Sequence, residues 1–150
     1  AKYAGRPYPV DAVALRILET LAGRWSDLIP DGTHPTLVPV PVHPWKYFRR
    51  GFNLPGLIAS RISRRSGLPF DPLALSRTRE PGSQARLPWI LRHENVAGAF
   101  RVPRNRKIPS TILLLDDVYT SGATAEACAR ALKYAGADSI VVVTVARTVS

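Results

Sequence analysis

Two adjacent aspartates, Asp116 and Asp117, follow the apolar run at residues 111–115. Such a run is long enough for a strand that is buried on both faces of a sheet. Two carboxylates side by side at the end of a strand repel each other, so they indicate a compensating neighbour, such as ribose hydroxyls, a cation or basic side chains. The pair therefore predicts a binding site at the end of this strand.

A short segment rich in hydroxyl groups follows the acids and leads directly into a helical pattern. Its residues are Thr120, Ser121, Gly122, Ala123 and Thr124. A tight turn there would direct backbone N–H groups and a helix N-terminus at one point, which suits a phosphate group. Gly122 permits close approach of the backbone, and the hydroxyls add hydrogen-bond donors. Acids and loop together predict a ribose-phosphate site; the alternative is a buried strand, a polar turn and a capped helix without a ligand.

Cationic and aromatic residues are interspersed at residues 43–52, directly after a proline-interrupted apolar run at residues 36–42. Three interpretations stay open. In the first, three cations bind a pyrophosphate group; in the second, cations and aromatic rings bind single-stranded nucleic acid. In the third, the segment is a surface loop whose rings pack into the core. The cations are Lys46, Arg49 and Arg50, and the rings are those of Trp45, Tyr47 and Phe52.

A second basic segment, residues 77–86, lacks hydrophobic periodicity and contains Pro81 and Gly82. This composition predicts a mobile loop that closes over an anionic substrate and excludes water. The cations of this mobile loop are Arg77, Arg79 and Arg86. The alternative is a solvated basic loop without a ligand.

Hydrophobic periodicity predicts the elements that would position these residues. Helices are expected at residues 11–25, 54–65 and 124–135, and strands at 36–42, 73–77, 99–102, 111–115 and 139–146. The strand, helix and strand over residues 111–146 form one right-handed βαβ unit. The predicted fold class is α/β, with a mainly parallel, Rossmann-like central sheet flanked by helices. We expect a single domain over residues 1–150, with a lead-in and helix at 1–35 and the core at 36–150.

The composition limits which binding partners and which cellular compartment are expected. The formal charge of +10 over 150 residues indicates an anionic partner such as a phosphorylated substrate or nucleic acid. Cys128 is the one cysteine, which excludes an intrachain disulfide and a cysteine-based metal site. No apolar stretch approaches the roughly 20 residues that span a bilayer, so we expect no membrane insertion and a cytoplasmic protein. Neither a P-loop nor a G-x-G-x-x-G fingerprint occurs.

Residues 112–124 resemble the phosphoribosyl diphosphate (PRPP) binding motif of type I phosphoribosyltransferases. That motif has four apolar residues, two acids, two mostly apolar residues and then Thr-Thr-Gly-x-Thr; here Ser121 replaces the second Thr. The resemblance implies that Asp116 and Asp117 are the catalytic acids that hold the ribose hydroxyls. It also implies that residues 120–124 bind the 5′-phosphate and that Mg²⁺ is held mainly through PRPP. Members that act on 6-oxopurines have Asp at the position of Thr120, so hypoxanthine and guanine are not expected acceptors.

A wider set of residues resembles the ComF-like competence proteins, which have the phosphoribosyltransferase fold. The matching segments are Lys-Tyr-Ala-Gly at 2–5, Val-Pro-Val-Pro-Val-His-Pro-Trp at 38–45, Arg-Gly-Phe-Asn at 50–53 and Val-Ala-Arg at 145–147. Leu54 and Pro81 depart from the residues that are common in that family. The family's N-terminal four-cysteine zinc ribbon is missing, so the chain is expected to be a ribbon-less member or a C-terminal part.

Two functions follow from the resemblance. In the first, the chain binds PRPP and transfers phosphoribosyl to a nitrogen acceptor, with release of pyrophosphate. In the second, it binds PRPP or a nucleotide without catalysis and acts with single-stranded DNA or DNA-uptake proteins in natural competence. The acceptor base and the oligomeric state, including a homo-oligomer, stay open.

Overall fold

A computed structural model of the chain describes residues 9–78 and 98–148, with the backbone alone at Trp45 and Lys46. In these ranges the helices are α1 (Val10–Leu28), α2 (Pro44–Arg50), α3 (Leu54–Ser66) and α4 (Ala123–Tyr134). The strands are β1 (Thr36–Pro39), β2 (Ser76–Arg77), β3 (Phe100–Arg101), β4 (Thr111–Tyr119) and β5 (Ser139–Arg147).

The central sheet is parallel, with the order β1-β4-β5. Leu37 of β1 is level with Leu113 of β4, which is level with Val141 of β5. A bridge between Leu37 and Phe70 extends the pairing on the far side of β1. β2 and β3 form a separate antiparallel pair. The predicted α/β class with a mainly parallel sheet is therefore confirmed.

Helices cover both faces of this sheet because the side chains of β4 alternate between two buried clusters. Leu113 and Leu115 face the cluster that includes residues of α1 and α3. Ile112 and Leu114 face the cluster that includes residues of α4 and Phe100 of β3. A strand buried on both faces is apolar throughout, as the sequence of this run predicts.

Near the candidate site, β1 and β4 differ from their predicted bounds, since β1 ends at Pro39, and helix α2 was not predicted. β4 continues through both acids to Tyr119, because Val118 and Tyr119 pair with β5, so the acids lie within the strand rather than at its end. Residues 44–50 form helix α2, although their sequence has no apolar periodicity. Pro44 suits the first turn of a helix, and Gly51, with φ of 75°, follows its last residue.

The N-terminus of α3 is capped by Asn53, whose side-chain oxygen accepts the Gly56 N–H at 3.1 Å. Because this cap satisfies a backbone donor, Asn53→Ala is expected to lower the free energy of unfolding by about 1 kcal/mol. Urea unfolding of the chain would measure the loss, and Asn53→Ser is the matched control because serine also caps helices. Equal destabilisation by both substitutions would contradict a capping role.

No helix among residues 9–78 and 98–148 is both long and apolar enough to cross a bilayer.

Candidate functional site

The carboxyl ends of β1 and β4 lie side by side, because the two strands are parallel and in register. Val40 extends this pairing by donating its N–H to the Leu115 carbonyl at 2.8 Å. A cavity of about 580 Å³ opens at this edge of the sheet. It is lined by Val40, Pro41, Val42, His43, Arg50, Pro55, Arg77, Asp116, Asp117, Val118, Thr120 and Thr124. This is the edge at which open α/β sheets bind ligands.

Both acids reach the cavity from β4, in different environments. Asp116 is 6% exposed, and one of its oxygens accepts the Asp117 N–H at 2.8 Å. Asp117 accepts the Val118 N–H with Oδ1 at 2.8 Å and pairs through Oδ2 with Arg50 Nη1 at 2.9 Å. Backbone donors therefore fix both carboxylates beside the cavity.

Arg50 joins α2 to β4 across 67 positions of sequence. Its side chain is 40% exposed and that of Asp117 is 17% exposed, so the ion pair lies at the mouth of the cavity. Of the other cations predicted on this segment, Arg49 is exposed and is not among the lining residues. The side chain of Lys46 is outside the described part.

Arg77, at the junction of the predicted strand 73–77 and the predicted basic loop, is the last residue of β2. Its guanidinium carbon is 5.1 Å from the centre of the Phe100 ring, and the residue lines the cavity together with the two acids. The pairing of β2 with β3 holds this cation on a strand. Arg79 and Arg86, the other cations of the predicted mobile loop, lie outside the described residues, as does that loop from residue 79 onwards.

The predicted phosphate loop connects β4 to α4. Thr120 and Thr124 line the cavity, and the Ser121 hydroxyl oxygen accepts the Ala123 N–H at 3.4 Å. Gly122, with φ of 82°, is the N-cap residue of α4 and provides no side-chain cap. No hydrogen bond within the described ranges engages the N–H groups of Thr124 and Ala125. These donors, at the positive end of the helix dipole, suit an anion.

Gly122 also permits a close contact within the site. A Cβ atom at this position would collide with the phenol ring of Tyr119, the last residue of β4. Arg147 lies over the same ring, with its guanidinium carbon 5.7 Å from the ring centre. The turn between strand and helix is therefore compact because residue 122 has no side chain.

Cys128 is buried on the inner face of α4, within reach of the charge of Asp116. Burial raises the pKa of its thiol, the negative charge of Asp116 raises it further, and Arg77 opposes the rise. The thiol therefore stays protonated at neutral pH and is not a candidate nucleophile. In residues 9–78 and 98–148, no three His, Cys, Asp or Glu side chains cluster as metal ligands.

Sequence comparison relates the chain to curated bacterial proteins. It is 34% identical over 139 residues to the DNA utilization protein YhgH of Escherichia coli K12, covering 89% of this chain and 58% of that one. It is 29% identical to Competence protein F of Haemophilus influenzae, over 74% of this chain and 49% of the relative. It is 33% identical to the competence protein ComFC of Bacillus subtilis, over 72% of this chain and 42% of the relative. This chain is a ComF-like protein.

The ComF-like chain thus spans little more than half the length of the YhgH relative. No protein-family model matches it. Among solved structures it resembles the glutamine PRPP amidotransferase of B. subtilis, with a TM-score of 0.54 at 18% identity over 90% of this chain and 26% of that one. It also resembles the hypoxanthine-guanine phosphoribosyl transferase of L. donovani, with a TM-score of 0.53 at 12% identity over 90% of this chain and 66% of that one. The fold is therefore that of type I phosphoribosyltransferases, as predicted.

Several lining residues of this ComF-like site were not predicted from the sequence. Residues 40–42 line the cavity because they leave β1 beside β4, and Pro55 does so from the first turn of α3. His43 lines the cavity too, and its carbonyl accepts the Tyr47 N–H at 3.0 Å. The prolines at residues 39 and 41 indicate that the strand ends irregularly. Only the register of β1 against β4 shows that this end faces the cavity.

Proposed function

We propose that this ComF-like chain binds PRPP in the cytoplasm and transfers its phosphoribosyl group to a nitrogen acceptor, with release of pyrophosphate. The observation that carries the proposal is that two carboxylates and a helix N-terminal loop face one cavity that two arginines also line. Ribose hydroxyls match the carboxylates, phosphate matches the loop, and pyrophosphate matches the arginines. The phosphoribosyltransferase fold supports this assignment.

In this proposal, each group of residues has a separate task. Asp116 and Asp117 accept hydrogen bonds from the ribose hydroxyls, and residues 120–124 bind the 5′-phosphate. Arg50 and Arg77 stabilise the charge that develops on pyrophosphate as its bond to C1′ of the ribose breaks and the bond from the acceptor nitrogen forms. Lys46, Arg49, Arg79 and Arg86 are further candidates for the same task. Because catalysis requires positioning and charge stabilisation, no protein nucleophile is needed.

The donor set of the cavity fits Mg²⁺, because the carboxylates of Asp116 and Asp117 and the hydroxyl of Thr120 are the hard oxygen ligands that this ion prefers. Bound with PRPP, the ion would neutralise diphosphate charge. Asp116 and Asp117 orient the ribose. Because Asp116 is only 6% exposed, little of its carboxylate is in contact with water.

Calorimetric titration of PRPP with Mg²⁺ tests the proposal. Binding to the parent chain is expected, together with its loss in the Asp116→Ala, Asp117→Ala double variant. Asp27→Asn is the matched control, because Asp27 is an exposed acid on α1 away from the cavity. A screen of nucleobases for pyrophosphate release then tests transfer. Absence of PRPP binding to the parent would sink the proposal.

The second candidate function is non-catalytic binding of PRPP or a nucleotide together with single-stranded DNA or DNA-uptake proteins. The observation that favours it is on α2, where the side chains of Tyr47 and Phe48 are 51% and 86% exposed beside Arg49 and Arg50. Phe52, one of the predicted stacking rings, instead packs against the core, so Phe48 replaces it. The names of the curated relatives, a DNA utilization protein and competence proteins, support a role with DNA.

Phe48→Ala is expected to weaken binding of a single-stranded oligonucleotide by about five- to a hundred-fold, because stacking contributes about 1–3 kcal/mol per base. Fluorescence anisotropy at several salt concentrations would measure it, and the affinity of the parent should fall steeply with salt. Leu73→Ala is the matched control, since Leu73 is an exposed apolar residue far from α2 in sequence. Equal binding by Phe48→Ala and the parent would contradict a stacking role.

A further inference from the structure

The outer edge of β5 lacks the features that normally protect an exposed strand. Within the described residues β5 pairs with β4 alone and is therefore at the edge of the sheet. Its one charged residue is Arg147 at the very end, and it contains no proline, whereas exposed edge strands usually carry such residues along their length. In a parallel strand, alternate residues direct their N–H and C=O groups to opposite sides. Half of the backbone groups of β5 thus point away from β4 and can pair with a further strand.

An apolar groove of about 520 Å³ runs between this edge and α1. Val141, Val143 and Val145 of β5 form one side, and Ile17 and Leu21 of α1 lie opposite them. The three valines are only partly buried, although they face the same cluster as Leu113 and Leu115. The apolar layer between the sheet and α1 is therefore only partly covered at β5.

The charged residues that line the groove, Arg16 and Arg24, are both positive. They are eight positions apart on α1, which is about 12 Å along a helix. Arg16 forms an exposed ion pair with Glu19, in which Nη1 and Oε2 are 3.4 Å apart. Arg24 forms no ion pair within the described ranges. The groove thus combines apolar walls, a strand edge that no described residue pairs with, and two cations along one rim.

We propose that this groove binds an extended acidic segment of a partner protein, which adds to β5 as a further strand. Side chains at i, i+2 and i+4 of such a strand share one face, and i to i+4 spans about 13 Å. This distance matches the separation of Arg16 and Arg24. The segment that fits has Asp or Glu at i and i+4 and an apolar residue at i+2, which enters the groove.

The charge of the chain favours an acidic partner over a second copy. Another copy would bring its own Arg16 and Arg24 to the groove and a formal charge of +10, with no acid in its β5. Like charges would therefore oppose the pairing. Nucleic acid would complement the arginines, but it does not supply the N–H and C=O groups of a neighbouring strand.

Synthetic nine-residue peptides of alternating valine and serine, with aspartates four positions apart on the valine face, provide the test. Binding of a labelled peptide to the full 150-residue chain is measured by anisotropy, and slowed hydrogen exchange is expected at alternate amides of β5. A peptide of the same charge with a central proline is the first control, because proline cannot pair in a ladder. It should bind at least ten-fold more weakly.

Charge reversal at the rim provides the second control. The Arg16→Glu, Arg24→Glu variant is expected to bind the aspartate peptide at least five-fold more weakly and to prefer a lysine version. Arg104→Glu, Lys107→Glu makes the same change in net charge at exposed positions outside the groove and should keep the parent's preference. The proposal is overturned if the proline peptide binds equally well. It is also overturned if the parent sediments as a dimer whose β5 amides are protected without peptide.

Discussion

Replacing Asp117 with alanine is expected to weaken PRPP binding by about ten- to a hundred-fold, because a hydrogen bond to a charged group contributes about 1.5–3 kcal/mol. Transfer should fall at least as much, since the ribose would lose its orientation relative to the acceptor. Asp117 is accessible from the cavity, so its removal acts on the ligand directly. Calorimetry with PRPP and Mg²⁺ would measure binding, and pyrophosphate release would measure transfer.

The ion pair with Arg50 complicates this result, because Asp117→Ala also frees a cation at the mouth of the cavity. Arg50→Ala and the double variant complete a mutant cycle that separates the two effects. If Asp117 contacts the ribose itself, the loss from Asp117→Ala persists when Arg50 is already alanine. If its role is only to hold Arg50, the loss disappears in that background. Full transfer activity in Asp117→Ala would contradict the proposed catalytic role.

The sheet and its site-bearing strand could be predicted from the sequence because they depend on local patterns. The apolar run before Asp116 is buried on both faces, and the valine-rich run at β5 pairs beside it. The small hydroxyl-rich turn begins a helix, as the glycine and the apolar spacing after it predict. Each of these features needs only residues close in sequence.

The parts that could not be predicted depend on contacts between distant segments. The pair between Arg50 and Asp117 joins residues 67 positions apart, and no local pattern specifies it. Helix α2 contains cations and aromatic rings without apolar periodicity, so the sequence pattern does not predict a helix there. Only the structure shows that Phe48 is exposed and that Phe52 packs against the core. Arg77 was predicted both as the last residue of a strand and as the first cation of a loop, and its pairing opposite Phe100 places it in the strand.

The position of the site also follows from the way the elements constrain one another. β1 ends after four residues, and Val40 then pairs with Leu115 of β4. Helix α2 follows, and its last residue, Arg50, pairs with Asp117. On the other face, the β2–β3 pair holds Arg77 against the same cavity. Two cations from separate elements thus lie near two acids from one strand. This distribution of charge suits a ligand with both hydroxyl groups and phosphates better than it suits a simple anion.

Gly122→Ala is expected to reduce PRPP affinity by ten-fold or more and to lower the free energy of unfolding by about 1–2 kcal/mol. The stability loss arises because the left-handed backbone conformation at φ of 82° is costly for any residue with a Cβ atom. The affinity loss arises because the new methyl group displaces the Tyr119 ring and with it the turn that would hold the 5′-phosphate. Urea unfolding and calorimetry would measure the two effects separately.

Gly136→Ala is the matched control for Gly122→Ala, because Gly136 also has a positive φ, of 113°, but a Cβ atom there would meet nothing within 4 Å. It follows α4 at the end remote from the cavity, so it should lower stability and leave PRPP affinity unchanged. Adding Tyr119→Ala to Gly122→Ala should restore part of the affinity, since the collision is removed while the backbone strain persists. If Gly122→Ala bound PRPP as tightly as Gly136→Ala, the turn would not be the phosphate site, and the anion would have to be held by the arginines alone.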